Sequence, residues 1–338
     1  MPAPDDLRPT QSVAVYRAAQ FRVANGANLG DGVSVAGELM LDDIYRLSPV
    51  AAPVRLGVVA RAEPPFAVAA DSETGQPGAD LHLDCAVTFM SGDGCTTEAL
   101  VLVETDAGGN IADIYLLPLG PIGSHADYAL VGIDEEAGLQ RFAQVACVSF
   151  TRGTLITLAS GEQRAVESLA VGDIVLTRDD GAQPIRWIGQ TTTRAVGDFA
   201  PIVIRAGTLH NTNDLVVSPD HRLFIYQRTD RLGAGRSELL VKARHLVNGD
   251  SVTRLTGGFV DYFQMLFDRH QIIYAEGIAA ESMLIDTRTR AALPRELSET
   301  LRRVIPGHSD AVARDLEVHE ALLRRDDAAD ILRRSSGG

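Results

Sequence analysis

The 338-residue chain has little cysteine, no long apolar run and no excess of positive charge, and each shortage removes a class of protein. Its three cysteines, Cys85, Cys95 and Cys147, are too few and too odd in number for a disulfide framework. Cys85 and Cys95 lie near enough in sequence to bridge, but their spacing decides nothing. No two cysteines have metal-ligand spacing and the histidines are scattered, so no metal and no other cofactor is expected. No glycine-rich phosphate loop is present. No apolar stretch is long enough for a membrane span, which takes about 18 residues or more. The formal net charge of −14 is the opposite of a nucleic-acid binder's basic footprint. The opening text MPAPDDLRPTQS pairs two aspartates with three prolines and has no apolar centre. No secretory signal peptide is therefore expected, which leaves the cytoplasm or a signal-independent export route.

Hydrophobic residues make up 45% of the chain and charged residues 22%, ordinary values for a globular protein. A single core rarely grows past about 250–300 residues, so the length implies two domains. Residues 1–12 read as a disordered arm. Residues 13–146 are short β-type runs punctuated by Gly, Asp and Pro. Asp80 to Phe89 alternates polar and apolar residues, the half-buried strand pattern. Leu39 to Leu47 reads as a turn or short helix. The regular spacing of short strands points to a β-sandwich-like domain, with a small barrel as the other form. No catalytic constellation stands out in it, and His82 and His125 are isolated.

From Ala146 the texture is still β, but the chemistry changes. Cys147 and Ser149 stand two apart where the two parts of the chain meet. Ser218-Pro219-Asp220-His221 follows a strand-like run directly. His270 stands in Asp268-Arg269-His270, just before the run Gln271-Ile272-Ile273-Tyr274. Pro184 to Gly189 reads as a core strand that turns at Gly189. A nucleophile with distant histidines is the general layout for acyl chemistry, because an imidazole can move protons to and from a scissile amide. Asp214 and Asp268 are possible supporting acids, and Asp173 reads as a turn residue. Residues 291–338 become rich in Arg, Asp, Leu and Ala with helical periodicity, which predicts a helical tail with a frayed end.

Taken together, three stretches resemble the Hint family of hedgehog autoprocessing domains and inteins, and most closely the bacterial Hint-type autoprocessing domains. The first is Ser149-Phe150-Thr151-Arg152-Gly153-Thr154-Leu155-Ile156, continued by Val171-Gly172-Asp173 and Ile185-Arg186-Trp187-Ile188-Gly189. The second is Ser218-Pro219-Asp220-His221, where the family has Thr-x-x-His. The third is His270 to Ile278. The resemblance covers roughly 146–284 and puts the domain at 147–290. It implies an all-β, horseshoe-like fold and an N-to-S or N-to-O acyl shift. In that shift the first residue's side chain attacks the preceding carbonyl. The resemblance assigns His221 to the scissile amide and Ser218 to holding that amide, with His270 in the last motif.

Two departures qualify what the resemblance implies. Inteins end in His-Asn, and here those positions hold Glu281 and Ser282, so C-terminal splicing is not expected. The family also has Cys directly before Phe-Thr. In that register this chain has Ser149, with Cys147 two residues upstream. Cys147 is the expected nucleophile, displaced by a two-residue insertion, and Ser149 is the second candidate. The expected function is self-cleavage near residues 146–149. The chain's own N-terminal domain is the substrate, and water, a thiol or another nucleophile is the acceptor. The alternative is a catalytically inactive Hint scaffold that serves as a binding or surface module. A free-standing cysteine hydrolase fits less well, because a self-processing protein needs no pocket for a separate substrate.

Overall fold

The computed structural model describes residues 10–61, 63–230, 232–285, 288–289, 293, 318, 320–323 and 327–336. The described residues are mostly strand and fall into two compact units. One gathers those of 10–146 with 288–289, and the other those of 147–285 with 293 and those from 318 onward.

The first unit is built on β1 (Thr10–Arg17), β2 (Phe21–Asn25), β3 (Ile44–Leu47), β4 (Val54–Val59), β5 (Phe66–Val68), β6 (Asp80–Ser91), β7 (Thr96–Thr105), β8 (Ile111–Pro118) and β9 (Asp127–Asp134). Their order in one antiparallel sheet is β2-β3-β9-β6-β5-β4-β1-β8-β7, and β7 pairs with β6 as well. That extra pairing closes β6-β5-β4-β1-β8-β7 on itself. The unit is all-β as expected, but closed as a barrel instead of split into two facing layers, and closure leaves those strands no open edge. Phe21, Tyr45 and Phe89 are fully buried together, with Phe21 edge-on to Phe89 at 5.0 Å and stacked on Tyr45 at 5.4 Å.

Three details differ from expectation. Strand β1 starts at Thr10, inside the stretch expected to be an arm, because Thr10, Gln11 and Ser12 pair with Val59, Val58 and Gly57. Residues 1–9 lie outside the described residues. The segment expected as a turn or helix ends instead in β3, where Tyr45 and Leu47 alternate inward. A helix that the sequence reading did not anticipate, α1 (Ala137–Ala146), follows β9. The Asp134 carboxylate accepts the Glu136 and Ala137 amides at its start, which satisfies donors that the first helical turn leaves open. Cys85 is buried, Cys95 is exposed, and they form no disulfide.

The second unit contains β10 (Phe150–Thr151), β11 (Leu155–Thr157), β12 (Gln163–Ala165), β13 (Ile174–Leu176), β14 (Ala182–Pro184), β15 (Trp187–Arg194), β16 (Ile202–Ile204), β17 (Leu215–Val217), β18 (Arg222–Tyr226), β19 (Glu238–Lys242), β20 (Val252–Arg254), β21 (Phe259–Leu266), β22 (Ile272–Ala275) and β23 (Ile278–Glu281). Two six-stranded antiparallel sheets run β15-β21-β10-β17-β16-β20 and β12-β11-β22-β23-β18-β19, and β13-β14 form a small hairpin. Both sheets join strands from early and late in the unit, so one is complete only when 150–266 is in place and the other only when 155–281 is. Glu276 and Gly277 both have positive φ and join β22 to β23. Two consecutive left-handed residues make the tight hairpin turn whose twist matches the strands.

Two expectations change in this unit. Gly189 is not a turn, since β15 runs straight through it and pairs it with Gln264 of β21. Glycine is there because the Trp187 ring lies over it, and a Cβ at position 189 would overlap the ring. The C-terminal region also does more than fray. Its described helices, Glu320–Leu323 and Ala328–Ser336, place Leu323, Ala328, Ala329 and Leu332 in the same buried cluster as Phe150, Leu223 and Phe263. The remaining residues of 291–338, apart from Leu293, Val318 and Asp327, lie outside the described residues.

Trp187 is the protein's one tryptophan, so it reports on this contact directly. Gly189→Ala is expected to lever the ring off the strand and red-shift its fluorescence, with a loss of about 1–3 kcal/mol in stability from overpacking. An unchanged emission maximum would show that the ring does not depend on the bare backbone.

Candidate functional site

The register of β10 sets the site. Phe150 pairs with Val217 on one side and with Phe263 on the other. In antiparallel ladders the next rung then sets Ser149 between Ser218 and Gln264. Alternation turns Ser149 to the face opposite Phe150. The contacts follow that geometry. The Ser149 N–H, which belongs to the Val148–Ser149 peptide bond, donates to Ser218 Oγ at 3.0 Å. The Ser218 N–H donates to the Ser149 carbonyl at 3.0 Å. On the other side the Gln264 amide Nε2 donates to Ser149 Oγ at 2.8 Å. Ser149, Ser218 and Gln264 are all buried.

His221 completes the group. The chain turns tightly after β17, with the His221 N–H donating to the Ser218 carbonyl at 3.0 Å. Its Nδ1 lies 3.2 Å from the Ser149 carbonyl oxygen. A carbonyl oxygen only accepts, so Nδ1 carries the proton of the neutral ring. Nε2 is buried as well. The ring meets Phe150 at a centroid distance of 4.5 Å. Burial pushes the imidazole below its ordinary pKa of 6.5, against the Glu281 carboxylate and the Ser149 carbonyl, which favour the charged form. His221 is therefore neutral at neutral pH. The turn is held from outside as well. Ala243 and Arg244 donate their amides to the carbonyls of His221 and Pro219, and the Arg244 guanidinium binds Asp220 at 2.7 Å.

Beyond His221 lies a buried ion pair. The Glu281 carboxylate accepts the Arg222 backbone N–H at 3.0 Å and its guanidinium at 2.6–2.8 Å, and His270 Nε2 lies 3.3 Å away. Burial alone would push the Glu281 carboxyl up. The Arg222 charge and hydrogen bonds from His270 and Arg222 outweigh it and hold the group well below the carboxylate range. The neighbouring Ser282 Oγ accepts the Gln271 amide at 2.9 Å, a backbone-fastening contact.

The structure thus brings Ser149, Ser218 and His221 together. It sets His270 against Glu281 in the neighbouring ion pair. Cys147 would need a two-residue bulge to reach the Ser218 rung. Ser218 Oγ accepts the Ser149 amide at 3.0 Å and itself donates to the Cys147 carbonyl at 3.4 Å. Ser149 needs no bulge because it directly precedes the strand that fixes the register. His221 bonds the Ser149 carbonyl, one peptide beyond the amide to which the resemblance assigned it. Asp268 does not face His270, because both its contacts go to Arg186, at 2.6 and 2.9 Å. Asp214 accepts the Ala206 amide in an exposed loop and takes no part in the cluster. Gln264 was missed. The signal for it was a lone amide inside the apolar run Tyr262-Phe263-Gln264-Met265-Leu266, where a buried polar group needs a partner.

An all-β unit whose sheets interleave early and late strands around a buried serine, hydroxyl and imidazole is the class that these observations define. Residues 148–287 match the family model described as the Hint domain, and the chain carries a Hint domain there. Among solved structures, a variant of the Ssp DnaB mini-intein is similar at 9% identity and TM-score 0.28, covering 41% of this chain and 97% of its own. The gp41-1 intein is similar at 11% identity and TM-score 0.25, covering 39% and 97%. The MchDnaB-1 intein is similar at 11% identity and TM-score 0.26, covering 39% and 98%. No curated protein matches the chain. Among the described residues no helix is long and apolar enough to cross a membrane, and no cluster of side chains suits a metal ion.

Two tests address the electrostatics. The unfolded chain takes up a proton on His221 below pH 6.5 that the folded domain resists, so this contribution is complete above that value and lost as pH falls toward the folded pKa. Glu281 adds its own loss only below its ordinary 4.5. Between pH 6.5 and 4.5, denaturation midpoints of the native protein should therefore fall more steeply than those of His221→Gln. Parallel slopes would place the acid sensitivity elsewhere. Glu281→Gln should cost about 3–5 kcal/mol in urea unfolding, because it takes the carboxylate charge from beside buried Arg222, whereas Glu281→Leu with Arg222→Met should cost much less.

Proposed function

We propose that this Hint domain cleaves its own chain between Val148 and Ser149 by an N-to-O acyl shift. The observation that supports the reading is the 3.0 Å hydrogen bond to Ser218 Oγ from the Ser149 amide, whose nitrogen is the leaving group of the Val148–Ser149 bond. Ser149 Oγ attacks the Val148 carbonyl carbon. The Oγ–C bond forms, the C–N bond breaks, and the hydroxyl proton ends on the Ser149 nitrogen. Ser218, already bound to that nitrogen, relays the proton. His221 and the Ser218 amide together fix the Ser149 carbonyl, which locks the rotation of the residue that must attack. A serine alcohol is far less ionised than a thiol at neutral pH, so positioning carries more of the burden. Water or another nucleophile then opens the ester. That step releases residues 1–148 and leaves Ser149 as a new N-terminus.

The domain's far end supports cleavage without splicing. The Glu281 carboxylate is committed to Arg222 and the Ser282 hydroxyl to the Gln271 amide, and neither side chain can form the cyclic imide that an asparagine forms. The N-terminal barrel unit is the cargo of the reaction.

Mass spectrometry of the purified protein, with and without hydroxylamine, tests the reading. The expected fragments end at Val148 and begin at Ser149, form faster with hydroxylamine, and vanish in Ser149→Ala. Cys147→Ala should leave them unchanged, and Ser218→Ala should slow them by about 10- to 100-fold, the worth of one hydrogen bond to a group developing charge. A new N-terminus at Cys147, or loss of cleavage in Cys147→Ala alone, would make the thiol the nucleophile. A chain that stays intact through prolonged hydroxylamine treatment would support the inert scaffold instead.

A further inference from the structure

The mechanism above leaves one contact at the reacting atom without a role. Gln264 Nε2 donates to Ser149 Oγ at 2.8 Å, from a strand position buried on the same rung. Its neighbours in the apolar run, Phe263, Met265 and Leu266, have no polar groups, so the amide is a single polar insertion aimed at one oxygen. We infer that Gln264 is a catalytic and specificity-determining residue that adapts this domain to an alcohol nucleophile, an inference that rests on Ser149 being the attacking group.

The chemistry follows from what a carboxamide NH2 can do. It donates and cannot accept, so it cannot serve as the base that takes the serine proton. A donor aimed at Oγ stabilises negative charge that gathers there as the O–H bond loosens, and it does so before the new C–O bond is complete. It also occupies one side of the oxygen, so the proton must leave on another, toward the amide nitrogen and Ser218. No oxidant, reductant or second substrate is needed, since the proton passes within the same residue from Oγ to N.

The same contact discriminates against sulfur. A thioether or thiol sulfur is a weak hydrogen-bond acceptor and a larger atom. A donor held at 2.8 Å by a strand whose register is fixed through Phe263 and Gly189 suits oxygen and crowds sulfur. The substitution of serine for the family's cysteine and the placement of Gln264 thus belong to one arrangement, in which the protein supplies to a poor nucleophile the charge stabilisation that a thiol does not need.

The test is a square of four full-length chains: native, Gln264→Met, Ser149→Cys and the double substitution. Methionine matches glutamine in length and lacks the donor. Each chain is scored for the rate of hydroxylamine-induced cleavage, by mass. Gln264→Met is expected to slow the native reaction by about 10- to 100-fold and to change the Ser149→Cys reaction by less than about 3-fold, because sulfur gains little from the lost donor. Retained cleavage in the double substitution shows that methionine at this position leaves the fold intact. Equal slowing in both backgrounds would mean that Gln264 only supports the strand, and no slowing in either would mean that the contact is idle. Both results overturn the inference while leaving Ser149 in place. Absence of cleavage in native and Ser149→Cys chains alike would instead remove the nucleophile assignment, and the role of Gln264 with it.

Discussion

A two-residue strand held between two long-range partners is the constraint on which the rest of this domain depends. Strand β10 contributes only Phe150 and Thr151, yet it is bonded on one side to β17 and on the other to β21. A one-residue slip would turn Phe150 out of the core and carry a different residue to the Ser218 rung. Phe150 prevents that slip, because it is buried in the main cluster and its ring meets His221 edge-on. Hydrophobic burial and the placement of the Val148–Ser149 peptide are therefore set by the same side chain. A serine one residue outside such a strand needs no further device to hold it.

The buried charges play a second, supporting part. Arg222 follows His221 in sequence, and Glu281 takes both its amide and its guanidinium. A buried pair of this kind adds little net stability, but it is costly to break, and that asymmetry favours one geometry over its neighbours. Asp220 and Arg244 fasten the other end of the turn. Two ion pairs thus flank the Ser218-to-His221 turn, whose imidazole burial keeps neutral. At the position where the resemblance to inteins would put a histidine, this chain has Glu281, which anchors the turn from Ser218 to His221 through Arg222.

Local pattern reached some of this and missed some. The β-texture of both units and the place of Ser218-x-x-His221 directly after a strand were legible, because alternation acts over a few residues. Gly189 was misread, because its glycine answers to a ring two residues away and not to a change of chain direction. The barrel closure was not legible beyond an open choice, since β6–β7 pairing adds only one more hairpin to the strand list while deciding whether the sheet ends or closes. Gln264 was invisible until its partner was known. A polar residue in an apolar strand says that it has a partner, but not which one.

What the sequence determined by itself was the class of fold and the small set of residues able to do acyl chemistry, because residue type and short-range period carry that information. What only the tertiary structure decided was which of the two neighbouring candidate residues lies on the rung between Ser218 and Gln264. Cys147 has the more reactive group, and reactivity favoured it. Antiparallel pairing across β17, β10 and β21 put Ser149 on the rung instead, between a hydroxyl from residue 218 and an amide from residue 264. Those three positions are far apart in the chain, and only long-range strand register brings them within hydrogen-bonding distance.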